Sequence, residues 1–249
     1  MKFYQFLNEN RTQQITEEQF NTLYDKHCFH FHSNGGEIYR GLPSSFKYCF
    51  IDPTKFTRRS ANTKNYYTIL FDELLPSWNG WPLRSKSIIC ASDMEITAGY
   101  GEPFNVYPYN NSKIAVCGQD DIWLSFEKGF EYGLDDFNTS LNYISMYINQ
   151  KELKETKQSI VEFCKTIDEM NDNDELDKMI ESLKKLSDYV SVKLIEKYLK
   201  YRNKHFIDFL DIMLNPIKNG FKLYNSKNYR HHNKRELWIE GPCLLKKYD

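Results

Sequence analysis

The chain is short of several things at once. Six cysteines are scattered through 249 residues, and no two form a Cys-x-x-Cys pair. That absence argues against the usual zinc modules, which hold their metal with closely spaced thiolates. Cysteines set in apolar surroundings, such as Ile89-Cys90 and Val116-Cys117, read instead as buried free thiols of a reducing compartment. Charge of one sign is also lacking. The formal net charge is -1, so bulk charge does not bring the protein to a polyanion, and any nucleic-acid contact needs a local patch. No apolar run approaches membrane-spanning length. The opening Met1-Lys2-Phe3-Tyr4-Gln5-Phe6 meets Asn, Glu and Arg too soon to be a secretory signal. The expected location is cytoplasmic, with no membrane partner.

Glycine is missing from residue 138 to about 215, where Lys, Glu, Leu and Ile dominate. Leu176, Met179, Ile180, Leu183 and Leu186 recur at helical spacing, as do Ile195, Tyr198 and Leu199, so this block reads as repeated amphipathic helix. Asn171-Asp172-Asn173-Asp174 is a break between helices, and Pro216 and Gly220 end the block. Outside it the pattern is mixed. Thr16 followed by Gln19, with Glu17 and Glu18 between, is a capping box opening a helix to Lys26, with Phe20, Leu23 and Tyr24 on its apolar face. Asn62–Leu75 reads as a helix stopped by Pro76. Strands are expected at Phe29–His32, Ile38–Leu42, Ser87–Ala91, Phe104–Tyr107, Lys113–Cys117, Phe221–Tyr224 and Leu237–Ile239. The chain length suits one large domain, or one with a sizeable insertion.

Three polar groups sit on these strand frames. Tyr39-Arg40-Gly41 places a guanidinium in a strand, where a pyrophosphate is a good acceptor for its fork of donors. Gly41 lets a ligand approach the backbone. Ser87-Ile88-Ile89-Cys90-Ala91-Ser92 carries an apolar centre between two hydroxyls. Glu236 opens the apolar Leu237-Trp238-Ile239, with Glu240 as its rival at the other end. Taken singly, each also reads as an ordinary strand-end residue.

In this order the three groups resemble the arginine–serine–glutamate class of the ADP-ribosyltransferase superfamily. The likeness covers roughly Ile38–Cys117 and the C-terminal strands, and excludes the helical block. Thr97-Ala98-Gly99-Tyr100-Gly101 is similar to the small-residue and aromatic run that follows the family's Ser-Thr-Ser. Cys90-Ala91-Ser92 stands where that tripeptide belongs, which leaves Ser87 or Ser92 to serve it. Lys234 stands where the family often has a second Glu or Gln.

The resemblance implies an α+β fold. A single domain, 1–249, has a split β-sheet core of ADP-ribosyltransferase type and a helical insertion at 138–216. It also implies an NAD-dependent mono-ADP-ribosyltransferase of toxin or phage-conflict type, with NAD as co-substrate. Arg40 then holds the phosphate or adenosine-side ribose, and Ser87 or Ser92 orients the nicotinamide ribose. Tyr66, Tyr67 or Tyr100 stacks on the nicotinamide, and Glu236 is catalytic. A neutralising protein partner goes with this type.

The lead-in to Glu236 carries Lys218, Lys222, Lys227, Arg230, Lys234 and Arg235 with no acidic residue, interleaved with Phe221, Tyr224 and Tyr229. Cations for phosphates and rings for bases point to RNA or single-stranded DNA as acceptor, ahead of protein. Two other readings stand beside this one. His27, Cys28, His30 and His32 could hold a metal for a nuclease, the last three on one face of a strand. The helical block could be a non-enzymatic partner-binding module.

Overall fold

The computed structural model describes residues 12–33, 36–43, 45–59, 64–201 and 204–248. It divides into two compact units. One is drawn from Met1–Arg59, Gly80–Ile122 and Gly220–Asp249, the other from Ser60–Asn79 and Trp123–Asn219. The strands are β1 (Gln13–Gln14), β2 (Tyr39–Leu42), β3 (Tyr48–Ile51), β4 (Ile88–Ala91), β5 (Glu102–Pro108), β6 (Lys113–Val116), β7 (Lys222–Asn225), β8 (Glu236–Glu240) and β9 (Cys243–Lys247). The helices are α1 (Glu17–His27), α2 (Phe29–Ser33), α3 (Tyr66–Ile69), α4 (Met94–Thr97), α5 (Glu127–Phe130), α6 (Leu134–Asn149), α7 (Lys157–Asp172), α8 (Leu176–Lys185), α9 (Tyr189–Leu199) and α10 (Phe206–Met213). Among the described residues no helix is long and apolar enough to cross a membrane.

Among the described residues, the nine strands of the first unit join one antiparallel sheet, in the order β1-β3-β9-β5-β2-β4-β8-β6-β7. Side chains alternate along each strand, so each face of the sheet can carry its own layer. One face buries Ile38, Leu42, Cys90, Val106, Leu237, Ile239 and Leu245, covered by Phe31 and Tyr229. On the opposite face Tyr48 and Leu244 pack with Phe20 of α1. That helix begins as its sequence dictates. Thr16 Oγ1 accepts from the Gln19 backbone N–H, and Thr16 N–H donates back to Gln19 Oε1 at 2.9 Å.

The ladder is uneven. β2 pairs with β5 over four residues and β4 pairs with β8 over four. Between β2 and β4 the only register pair is Tyr39 with Ala91. The sheet is therefore two ladders joined by one residue pair.

One expected strand is a helix: Phe29–His32 lies in α2. Four residues of alternating Phe and His are too short for a period of two to be told from a helical turn. The helical unit is also larger than the 138–216 expected, for it takes in residues 123–219 and 60–79. Residues 62 and 63 of the expected Asn62–Leu75 helix lie outside the described residues. Its remainder runs as α3 and a wide turn at Leu70–Leu74, and stops before Pro76. The break before α8 falls where the Asn-Asp run predicts it, with Asp174 at φ 56. Asp168 of α7 accepts from Tyr198 Oη of α9 at 2.8 Å and from the Phe206 N–H that opens α10 at 2.7 Å, so one carboxylate ties three helices together.

Candidate active site

β2, β4 and β8 are consecutive neighbours, and Tyr39, Ala91 and Glu236 lie in one row across them. Arg40, Ser92 and Glu236 thus fall within one residue of a single line over the sheet. Alternation sends Arg40 and Glu236 off opposite faces, Arg40 with Cys90 and Leu237, Glu236 with Ala91 and Trp238. The long Arg40 side chain turns back to the backbone, where its Nη1 donates to the Ile89 carbonyl of β4. Its head therefore lies at the seam between the two ladders. Arg40 Nε is buried and has no hydrogen-bond partner in the described chain. Burial lowers the pKa of this guanidinium, and Cys90, Tyr100 and Glu236 each pull it back up.

Glu236 sits at the entrance of β8 in a shell of donors. Its Oε1 accepts from Arg84 Nη1 at 2.9 Å and from Trp238 Nε1 at 2.7 Å, and its Oε2 accepts from the Ile122 N–H at 3.3 Å. The Arg84 guanidinium lies 4.6 Å from the Trp238 ring centroid, a cation–π contact. Arg84 is the arginine that meets Glu236. The two are separated by 152 residues, so no local pattern joins them. The usable signal was Trp238, two residues on and hence on the same face as Glu236.

The two candidate serines occupy opposite ends of the β4–β8 ladder. Ser92 is 3% exposed and is tied to Arg235 through its own N–H and through its hydroxyl, which accepts from Arg235 N–H at 2.8 Å. It braces the backbone immediately before Glu236. Ser87 is 1% exposed, and its hydroxyl donates to the Leu83 carbonyl at 2.7 Å. Glu240 accepts from Leu83 N–H at 3.1 Å. Ser87 and Glu240 together support the turn Arg84–Lys86, far from Glu236 along the strand. Cys90, expected from the resemblance to stand at a first hydroxyl position, is a thiol whose pKa burial pushes up to about 12.

Of the three stacking candidates, Tyr66 and Tyr67 are 0% and 1% exposed within the helical unit, with Tyr66 donating to the Leu153 carbonyl. Neither offers a free ring face. Tyr100 is 57% exposed. Burial raises its pKa first, then Asp121 and Glu236, while Arg40 and Arg58 oppose, so it lies within electrostatic reach of both Glu236 and Arg40. The space beside Gly41 is taken by the chain and not left for a ligand. A Cβ there meets the Thr97 carbonyl and comes 2.8 Å from Tyr100 Cβ. The next turn closes at Gly101, with φ 124, against the end of β2.

The lead-in to Glu236 keeps its cations but not its rings. Lys218, Lys222, Lys227, Arg230 and Lys234 are exposed, whereas Phe221 and Tyr229 are 4% and 2% exposed. Phe221 packs on Trp238 and Tyr229 on Phe31, so they fill the core and stack no bases. Tyr224 is half-buried, its hydroxyl 2.9 Å from His232 Nε2. Burial, followed by Lys222, Arg235 and His231, lowers His232 below its ordinary 6.5. As pH falls the unfolded chain takes up this proton first. The stability His232 contributes is therefore full above 6.5 and is lost as pH drops towards the lowered folded value. His232→Gln is expected to show a smaller fall in urea midpoint than the wild type on acidification across that range.

The histidine cluster does not lie on a strand. His27 ends α1 and stacks on Tyr109 at 4.6 Å, and the buried Cys28 thiol contacts the Tyr107 carbonyl. Burial pushes the Cys28 pKa up to about 12. Among the described residues no three His, Cys, Asp or Glu side chains are grouped to hold a metal. All six cysteines are buried and none is bridged to another. No protein-family model, curated protein or solved structure matches the chain.

Proposed function

We propose that the sheet unit is an NAD-dependent mono-ADP-ribosyltransferase of toxin-like type. The observation that carries this reading is the row Tyr39–Ala91–Glu236, which brings Arg40, Ser92 and Glu236 within one residue of a single line across β2, β4 and β8, with Arg40 and Glu236 rooted on opposite faces and the Arg40 head folded back to the β2–β4 seam. The buried, unpartnered Nε of Arg40 supports an anionic ligand there, since a buried donor is costly until an acceptor reaches it.

In this reading Arg40 meets the pyrophosphate, and the exposed Tyr100 ring stacks on the nicotinamide. Ser92 acts through the backbone, holding the entrance of β8. Glu236 accepts a hydrogen bond from the ribose hydroxyl and stabilises the positive charge that develops as the C1′–N bond breaks. Nicotinamide leaves with the bonding pair. The acceptor donates its own pair to C1′ and loses a proton. The acceptor is a nucleic acid, RNA first, held through its phosphates by Lys222, Lys227, Arg230 and Lys234. With Phe221 and Tyr229 in the core, base stacking drops out of that recognition. A protein acceptor stands behind it. The toxin-like type carries with it a cytoplasmic setting and a neutralising partner.

The test uses NAD labelled in its adenylate half. The expected result is release of nicotinamide and label in the RNA pool, declining steeply as salt rises. Absence of nicotinamide release with RNA, DNA and protein pools all present overturns the reading.

A further inference from the structure

The carboxylate of Glu236 is engaged unequally. Oε1 takes two donors, Arg84 and Trp238, while Oε2 takes one long bond from a backbone N–H. A carboxylate has about four lone-pair sites, so the remaining capacity lies on Oε2. The ion pair is nearly dry, with side-chain exposures of 4% for Arg84 and 13% for Glu236. The Arg84 side chain crosses the Trp238 ring to reach Glu236, and its root is the turn held by Ser87 and Glu240.

We propose that Arg84 is a positioning residue for Glu236: with Trp238 it reserves Oε1 for the protein and turns Oε2 towards the ribose hydroxyl. This rests on the transferase reading. The role is geometric, because a cation beside Oε1 cancels part of the charge Glu236 can offer an oxocarbenium. What the pair supplies is a carboxylate fixed in one rotamer before the nucleotide arrives.

The experiment is steady-state nicotinamide release from NAD by the full chain. Arg84→Met is expected to lower kcat by about 10²-fold, the scale of a misplaced reacting group. KM for NAD stays unchanged, because orientation matters most in the transition state. Arg84→Lys restores part of kcat, since it returns the charge without the fork. Combined with Glu236→Gln, Arg84→Met adds no further loss, since it acts only through the carboxylate. Should Arg84→Met fail to fold, Arg84→Lys and the charge-neutral double variant carry the test.

Wild-type kcat in Arg84→Lys or Arg84→Met, or losses that multiply in the double variant, overturns the inference. An active wild type with inert Glu236→Gln and full activity in Arg84→Met removes this inference alone. A wild type that releases no nicotinamide removes the transferase reading and the inference with it.

Discussion

Glu236→Gln is expected to reduce nicotinamide release by about 10²–10⁴-fold, the range for a positioned acid–base group. Glutamine keeps the shape and keeps an oxygen for Arg84 and Trp238, so the change removes charge more than structure. That charge is what the C1′ centre needs as the glycosidic bond breaks. Affinity for NAD should hold, because the proposed reading gives binding to Arg40 and Tyr100. The measurement pairs release kinetics with an equilibrium titration of NAD. Unchanged turnover removes Glu236 from the chemistry. Lost NAD affinity assigns it to binding instead. A urea curve runs alongside, because Arg84 then keeps a buried charge without its counter-ion, which by itself destabilises the fold.

Trp238→Ala is expected to destabilise the protein by about 3–5 kcal/mol, the scale for truncating a buried tryptophan. Trp238 is fully buried in the middle of β8, packed on Phe221 and under Arg84. Its loss opens a cavity and also removes the Nε1 donor from Glu236. Trp238→Phe refills most of the space without the donor. The urea midpoint should therefore recover in Trp238→Phe while turnover does not. Equal recovery of both would make Trp238 a packing residue only.

Much of the architecture was legible because it is written locally. Thr16 and Gln19 announce α1 by satisfying its first N–H groups, and the glycine-free block with Leu176, Met179, Ile180 and Leu183 at helical spacing announces α8. β8 was legible in Leu237–Ile239, although both its faces are covered. Other features depend on partners distant in sequence. β3 and β9 were not foreseen, and each is stabilised by the other across the sheet. In Phe29–Ser33 a short alternation pointed to the wrong period. The rings Phe221 and Tyr229 were visible as aromatics, but which way they face depends on Trp238 and Phe31. The pairing of Arg84 with Glu236 is tertiary, and so were the jobs of Ser87 and Glu240 on the turn beneath Arg84.

The single register pair between β2 and β4 makes Arg40 a rivet as well as a candidate anion holder, since its bond to the Ile89 carbonyl also crosses that join. In the proposed reading a phosphate would meet the unpartnered Nε, so the rivet and the anion site share one guanidinium. A change that withdraws Arg40 would then cost the join between the two ladders as well as the proposed anion site.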